Sequence, residues 1–222
     1  MGTAERTPDT LRFVPIEPRW AEALEAIELA SFPSTDPEDL YDADELRELA
    51  SDFPDGSFVV LDGDVPVAMG CGVRVNFDLT DYQHTFEELF PHGDGSGDDP
   101  DGEWYYGTDI SVHPDYRRLG IGARLYDLRK QVCRDLNLRG IIAGGVLPGY
   151  ADHKHAMSAA DYVERVKAGE LTDPTLTFQL GAGFEAIGVL ANYLTDPRVD
   201  NWASMIVWHN PDYREPTTED PT

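Results

Sequence analysis

The chain has 222 residues, 41% of them hydrophobic and 10% aromatic, which is enough apolar material for one full core and excludes a disordered polypeptide. With 42 acidic against 17 basic side chains, its formal net charge is −25. A field of that sign disfavours nucleic acid and anionic membrane surfaces as partners, and suits a protein whose self-repulsion is screened by high salt.

No run of 18 apolar residues is long enough to span a bilayer, and MGTAERTPDT lacks the basic-then-apolar order of a secretory signal. Cys71 and Cys133 are too few for a disulfide framework. The expectation is a cytoplasmic protein of a salt-adapted (halophilic) cell.

Residues 1–10 and 212–222 are polar and Pro-rich and are expected to form flexible tails around a single domain over residues 11–211. Trp20, Leu24, Ile27 and Ala30 fall at helical spacing within 18–31, and Leu46, Leu49 and Ala50 mark a second helix over 42–50. Residues 57–75 read as a hairpin turning at Asp62-Gly63-Asp64. Residues 78–102 are acidic and carry Gly93, Gly95, Gly97 and Gly102, so they read as an excursion with a short helix near 83–90 and then a mobile loop.

EWYYGTDISV (103–112) reads as a strand. Residues 120–137 form a helix whose stripe is Ile121, Leu125, Leu128, Val132 and Leu136, and 139–145 are a short buried strand. A second insertion over 148–174 carries a helix near 157–168. A short helix and two final strands complete the chain. The imidazoles of His153-Lys154-His155 have no nearby Cys partner and the stretch reads as a solvated loop, so no metal site is expected.

The stretch VHPDYRRLGIGARL (112–125) places a turn, two arginines and two glycines at the mouth of a helix. The first N–H groups of a helix lack intrahelical partners and sit at the positive end of its dipole, so this is an anion site suited to phosphate. Seven of the chain's basic side chains lie within 117–139, against two acids there, Asp127 and Asp135. A Walker loop is absent, and Leu125 stands where a dinucleotide fingerprint has its third glycine.

VHPDYRRLGIGARLYDL resembles the acetyl-CoA signature of the GNAT superfamily of N-acyltransferases, [QR]-x-x-G-x-[GA] between a strand and a helix. Arg117, Gly120 and Gly122 fill its specified positions. The resemblance implies an α/β (α+β) fold with a mixed, largely antiparallel central sheet flanked by helices, here with two insertions. GGVLPGY, DPTLTFQLGAGF and VLANYL are similar, more narrowly, to the acyltransferase domain that precedes a nitrilase-like carbon–nitrogen hydrolase domain in some bifunctional proteins. No hydrolase chemistry is carried over from that likeness.

The family resemblance further implies acetyl-CoA as co-substrate and direct attack by an amine in a ternary complex. The diphosphate would lie on Arg117, Arg118, Leu119, Gly120, Ile121, Gly122 and Ala123, and the pantetheine arm along Ile110, Ser111 and Val112. Candidate bases are Glu103 and Asp109, which share strand parity with Tyr105, Gly107 and Ser111 unless a bulge intervenes. Many relatives carry a Tyr acid four residues before a Gly-Phe pair. Gln179 stands at that position, leaving Tyr193, Tyr150 and Tyr162 as candidate proton donors, Tyr193 first.

The acceptor is expected to be a small-molecule or peptide amine. The acidic insertions suggest a cationic one, such as a polyamine, aminoglycoside or lysine-like amine. Neither nucleic acid nor membrane is expected as partner, and the oligomeric state, homodimer included, is left open. Two alternatives remain: a non-catalytic CoA-binding regulatory module and a nucleotide-binding domain.

Overall fold

The computed structural model describes residues 10–91 and 97–215. Seven strands form one sheet in the order β1-β2-β3-β4-β5-β7-β6: β1 Arg12–Pro15, β2 Phe58–Asp62, β3 Val65–Val75, β4 Trp104–Val112, β5 Gly140–Val146, β6 Glu185–Leu190 and β7 Ala203–His209. All neighbours pair antiparallel except β4 and β5. The helices are α1 Ala21–Ser31, α2 Ala43–Asp52, α3 Phe86–Leu89, α4 Ile121–Asp135, α5 Ala159–Lys167 and α6 Leu176–Gly181.

The sheet divides the core in two. One face packs against α4, α5 and α6 through Leu125, Cys133, Val163 and Leu176, and the other against α1 and α2 through Leu24, Ile27, Leu46 and Leu49. Short segments start where their sequences supply caps. Asp42 and Glu45 close a reciprocal capping box on α2, and the buried Asp173 carboxylate accepts from the backbone N–H of Thr175 and Leu176 at the head of α6. Asp173 also accepts from Gly149 N–H and the Tyr162 hydroxyl, tying the two ends of the second insertion and its helix together.

Four expectations from the sequence change. Strand β1 was not anticipated: RFVP is four residues long and becomes a strand only through its pairing with β2. The buried stripe of α4 is Ile121, Leu125, Tyr126, Arg129, Val132 and Cys133, whereas Leu136 is exposed, so the helix is rotated toward an arginine that patterning places outside. Residues 212–215, expected to begin a flexible tail, are tied to the turn after α4 by paired Asn137–Arg214 bonds and an Arg134–Asp212 ion pair. In the acidic excursion the helix is a single turn, Phe86–Leu89, while Gly93 and Gly95 of the expected mobile loop lie outside the described residues, as do residues 1–9 and 216–222.

Candidate active site

β4 and β5 run parallel but pair only at Tyr105 with Ile141 and Tyr106 with Ile142. Beyond those pairs β4 stays with β3 and β5 stays with β7, so two strand edges diverge and leave a wedge through the sheet. A cavity of about 220 Å³ fills it, lined by Gly107–Ile110 on one side and Ala143–Val146 on the other. Unpaired backbone along a buried strand edge asks for a partner, and an extended amide-bearing chain supplies one.

A bulge sets which side chains enter the wedge. Cys71 pairs with Asp109 but Gly72 pairs with Gly107, so Thr108 is an extra residue in β4. Paired residues share a face, so Tyr105 and Gly107 belong to the α4 side while Asp109 and Ser111 belong to the α1 side. This corrects the expected single face for Glu103, Tyr105, Gly107, Asp109 and Ser111.

Arg129, buried on α4, holds the bulge: its guanidinium donates to the carbonyls of Cys71 and Asp109. Replacing Arg129 with Leu leaves both carbonyls unpaired inside the protein. The expected loss is roughly 2–5 kcal/mol, read as a lowered urea midpoint. Lys at this position is not expected to restore it, because one ammonium cannot reproduce the planar fork.

Glycines on β5 admit two more side chains. A Cβ on Gly144 would fall 2.2 Å from the Tyr193 ring, and one on Gly145 2.6 Å from the Gln179 amide. Both side chains are buried and line the cavity.

Unsatisfied polar atoms gather here. Glu28 Oε2, Tyr41 OH, Thr108 Oγ1, Asp109 Oδ2, Arg129 Nε and Gln179 Oε1 are buried without a hydrogen-bond partner, and all belong to residues lining the wedge. Such a concentration makes the wedge the candidate ligand site. Burial raises the Asp109 pKa from 3.8 to about 7, against the opposing pull of Ser111 and Arg129. Burial, then the charge of Asp109, pushes Glu28 well up as well. Both carboxylates in the cavity are therefore shifted toward the protonated form. Phe32, Tyr41, Phe86 and Tyr193 supply aromatic walls.

The loop at the head of α4 lies beyond Val112. Gly120 caps the helix in the left-handed region (φ 80) and Arg118 is left-handed too (φ 64). The first helical bond runs from Arg124 N–H to Gly120 O, so the N–H groups of Ile121, Gly122 and Ala123 precede it.

The basic patch expected over 117–139 is dispersed. Arg117 bonds the carbonyls of Val112 and Ser31, Arg129 is interior, Lys130 bonds Ala182 O, Arg134 pairs with Asp212 and Arg139 with Glu103. Among the described residues of this stretch, Arg118 and Arg124 have exposed side chains outside any such bond.

Of the sequence candidates, the structure brings Asp109, Ile110, Tyr193 and Gln179 to one cavity. Glu103 is not there. It precedes β4, pairs with Arg139 at 3.1 Å and lines a separate surface depression with Asn76 and Trp104. Tyr150 and Tyr162 are committed elsewhere, to Met157 O and Asp173. Cys71 is buried and its thiol is pushed well up by burial, which removes it as a nucleophile. Sequence reasoning missed Glu28, Tyr41, Thr108 and Arg129. Glu28 falls one position after Ile27 on the apolar stripe of α1, and an acid so placed was the available signal.

Residues 21–153 match the Acetyltransferase (GNAT) family, and the chain belongs to that family of acyl-transferring proteins. It is similar to "Uncharacterized N-acetyltransferase YkwB" of Bacillus subtilis (strain 168), 32% identical over 195 residues, covering 87% of this chain and 86% of that protein. It is also similar to "Probable hydrolase YhcX" of the same organism, 36% identical over 184 residues. That match takes in 82% of this chain but only 35% of the relative's length. Among solved structures, "GphF GNAT-like decarboxylase in complex with isobutyryl-CoA" shares the fold with a TM-score of 0.73 at 19% identity, covering 90% of this chain and 99% of the other.

Proposed function

We propose that the chain is an acetyl-CoA-dependent N-acyltransferase that passes the acetyl group directly to an amine in a ternary complex. The observation that carries this reading is Asp109, a buried carboxylate with a pKa of about 7 in the wedge between β4 and β5. A base tuned to neutral pH can take a proton from an ammonium-derived nucleophile, which attacks only once it has a lone pair.

In this reading the diphosphate sits on the backbone N–H groups at the head of α4, where the dipole favours it. The pantetheine arm continues β4 along Ile110 to Val112. A backbone N–H on that edge polarises the thioester carbonyl and holds the oxyanion. The acceptor enters from the α1 side, between Glu28, Asp109 and the aromatic walls.

The test is CoA release from acetyl-CoA across a panel of alkyl, aralkyl, polyamine and peptide amines, with the product identified by mass. Amine-dependent release with an N-acetyl product is expected. Tight acetyl-CoA binding without release across the panel would favour the CoA-binding module, a reading that Gln179 at the usual Tyr position supports. Consumption of acyl-CoA that ignores the amine would contradict acyl transfer to nitrogen. Binding of ATP or NAD in place of acetyl-CoA would point to the nucleotide domain.

A further inference from the structure

A chain of hydrogen bonds leaves the cavity on its α1 side. Tyr193 OH lies 2.9 Å from Tyr106 OH, and Tyr106 OH lies 2.7 Å from His84 Nε2. His84 Nδ1 lies 2.7 Å from the carbonyl of Tyr82. Tyr193 lines the cavity and is buried, Tyr106 is fully buried, and His84 is half-buried in the first insertion, where solvent can reach it.

The donors can be assigned from chemistry alone. A carbonyl only accepts, so Nδ1 carries the proton. In a neutral imidazole Nε2 then accepts, so Tyr106 donates to it. The proton of Tyr106 being used, Tyr193 must donate to Tyr106. Every donor points away from the cavity, and the Tyr193 oxygen presents only lone pairs to it. Protonating His84 reverses the two bonds through the phenols, while Nδ1 goes on donating to the Tyr82 carbonyl, and turns the Tyr193 proton inward.

The geometry points to His84 as the positioning residue of a proton relay, His84–Tyr106–Tyr193, that draws a proton out of the cavity and returns it to the departing thiolate. This rests on the acyl-transfer reading above. An ammonium substrate gives one proton to the Tyr193 oxygen, while the Tyr193 proton passes to Tyr106 and the Tyr106 proton to His84 Nε2. The products are a neutral amine and an imidazolium. The amine nitrogen attacks the thioester carbon, and Asp109 takes the second nitrogen proton. When the carbon–sulfur bond breaks, Tyr193 gives its proton to the thiolate and the chain reverts, leaving His84 neutral. Asp109 loses its proton to solvent, so one proton is released per turnover. The relay supplies the acid that Gln179 cannot.

The groups facing His84 agree with a neutral resting state. Burial lowers its pKa, opposed by the Tyr82 carbonyl and by Glu88 on α3. Phe77 and Tyr193 meet its ring edge-on, and Tyr106 faces it from β4.

The test compares wild type with His84→Gln and His84→Phe. Gln can accept the Tyr106 bond but cannot become a cation, and Phe keeps the ring contacts. With an amine substrate, kcat is expected to fall roughly 10- to 1000-fold in both variants, with the acetyl-CoA KM unchanged. A curved proton inventory in mixed light and heavy water should become linear. Full rescue by Gln, or an unchanged kcat and inventory in both, overturns the relay. Nitrogen NMR of labelled histidine gives a readout without turnover. It should show His84 as the Nδ1–H tautomer at pH 7, with a titration that moves in Tyr193→Phe. If wild type acetylates no amine, the enzyme reading fails by itself. The relay geometry is then judged by NMR, and an Nε2–H tautomer or an unmoved titration overturns it.

Discussion

Asp109→Asn lowers amine-dependent turnover by about 100- to 10,000-fold and leaves acetyl-CoA affinity unchanged. In the proposed reaction the carboxylate takes a proton from the acceptor nitrogen, and the amide has the same shape without the basicity. The wild-type rate should rise with pH through about 7, as Asp109 ionises, and this limb should vanish in the variant.

Stability should move the other way. A pKa raised in the folded state means the folded protein holds the proton more tightly than the unfolded chain does. The stability this contributes is complete below the unfolded value near 4 and is lost as pH rises through about 7. Asn carries no such dependence. At pH 8 the variant should therefore be the more stable protein, by up to roughly 4 kcal/mol, the equivalent of a rise from 3.8 to about 7. At pH 4 the difference should close. Thermal melts at the two pH values check this, and equal melting temperatures at pH 8 would mean that Asp109 is solvated after all.

Gly120→Val is expected to weaken acetyl-CoA binding by about 100-fold or more while leaving the sheet intact. Gly120 sits at φ 80, where a β-branched residue is strained by about 1–3 kcal/mol. The loop can relieve that strain only by moving the N–H groups of Ile121, Gly122 and Ala123. Because the expected loss falls on binding, isothermal titration reads it directly. Circular dichroism and the urea midpoint should show a folded protein. Retained affinity in a folded variant would remove the loop from the cofactor site.

Much of this was legible in the sequence because periodicity carries it. The hairpin, β4, α4, β5 and the order of the last three elements follow from apolar spacing and turn residues, and the family from VHPDYRRLGIGARL. The cavity was harder to read. The bulge at Thr108 inserts one residue into a strand that period-two counting reads straight through, and it moved Asp109 and Ser111 off the face of Tyr105. Glu28 and Arg129 were hidden for another reason. Both are charged residues on helices whose other polar residues face water, and only packing shows that these two turn inward. Charge counting misled over 117–139, since it cannot tell an arginine that meets a ligand from one that clamps a carbonyl. Glu103 looked like a base by its distance from the glycines, and it is an ion-pair partner of Arg139 at the far end of the strand. The relay through Tyr106 and His84 joins residues 84, 106 and 193, which nothing but the fold brings together.

The whole account turns on the wedge and the loop being one continuous cofactor site. A crystal structure with acetyl-CoA bound tests it most directly. The expected density has the diphosphate on the N–H groups of residues 118–123, the pantetheine amides paired with the β4 backbone between Ile110 and Val112, and the thioester beside Asp109. Density that leaves the wedge empty, or places the nucleotide on another surface, would contradict it.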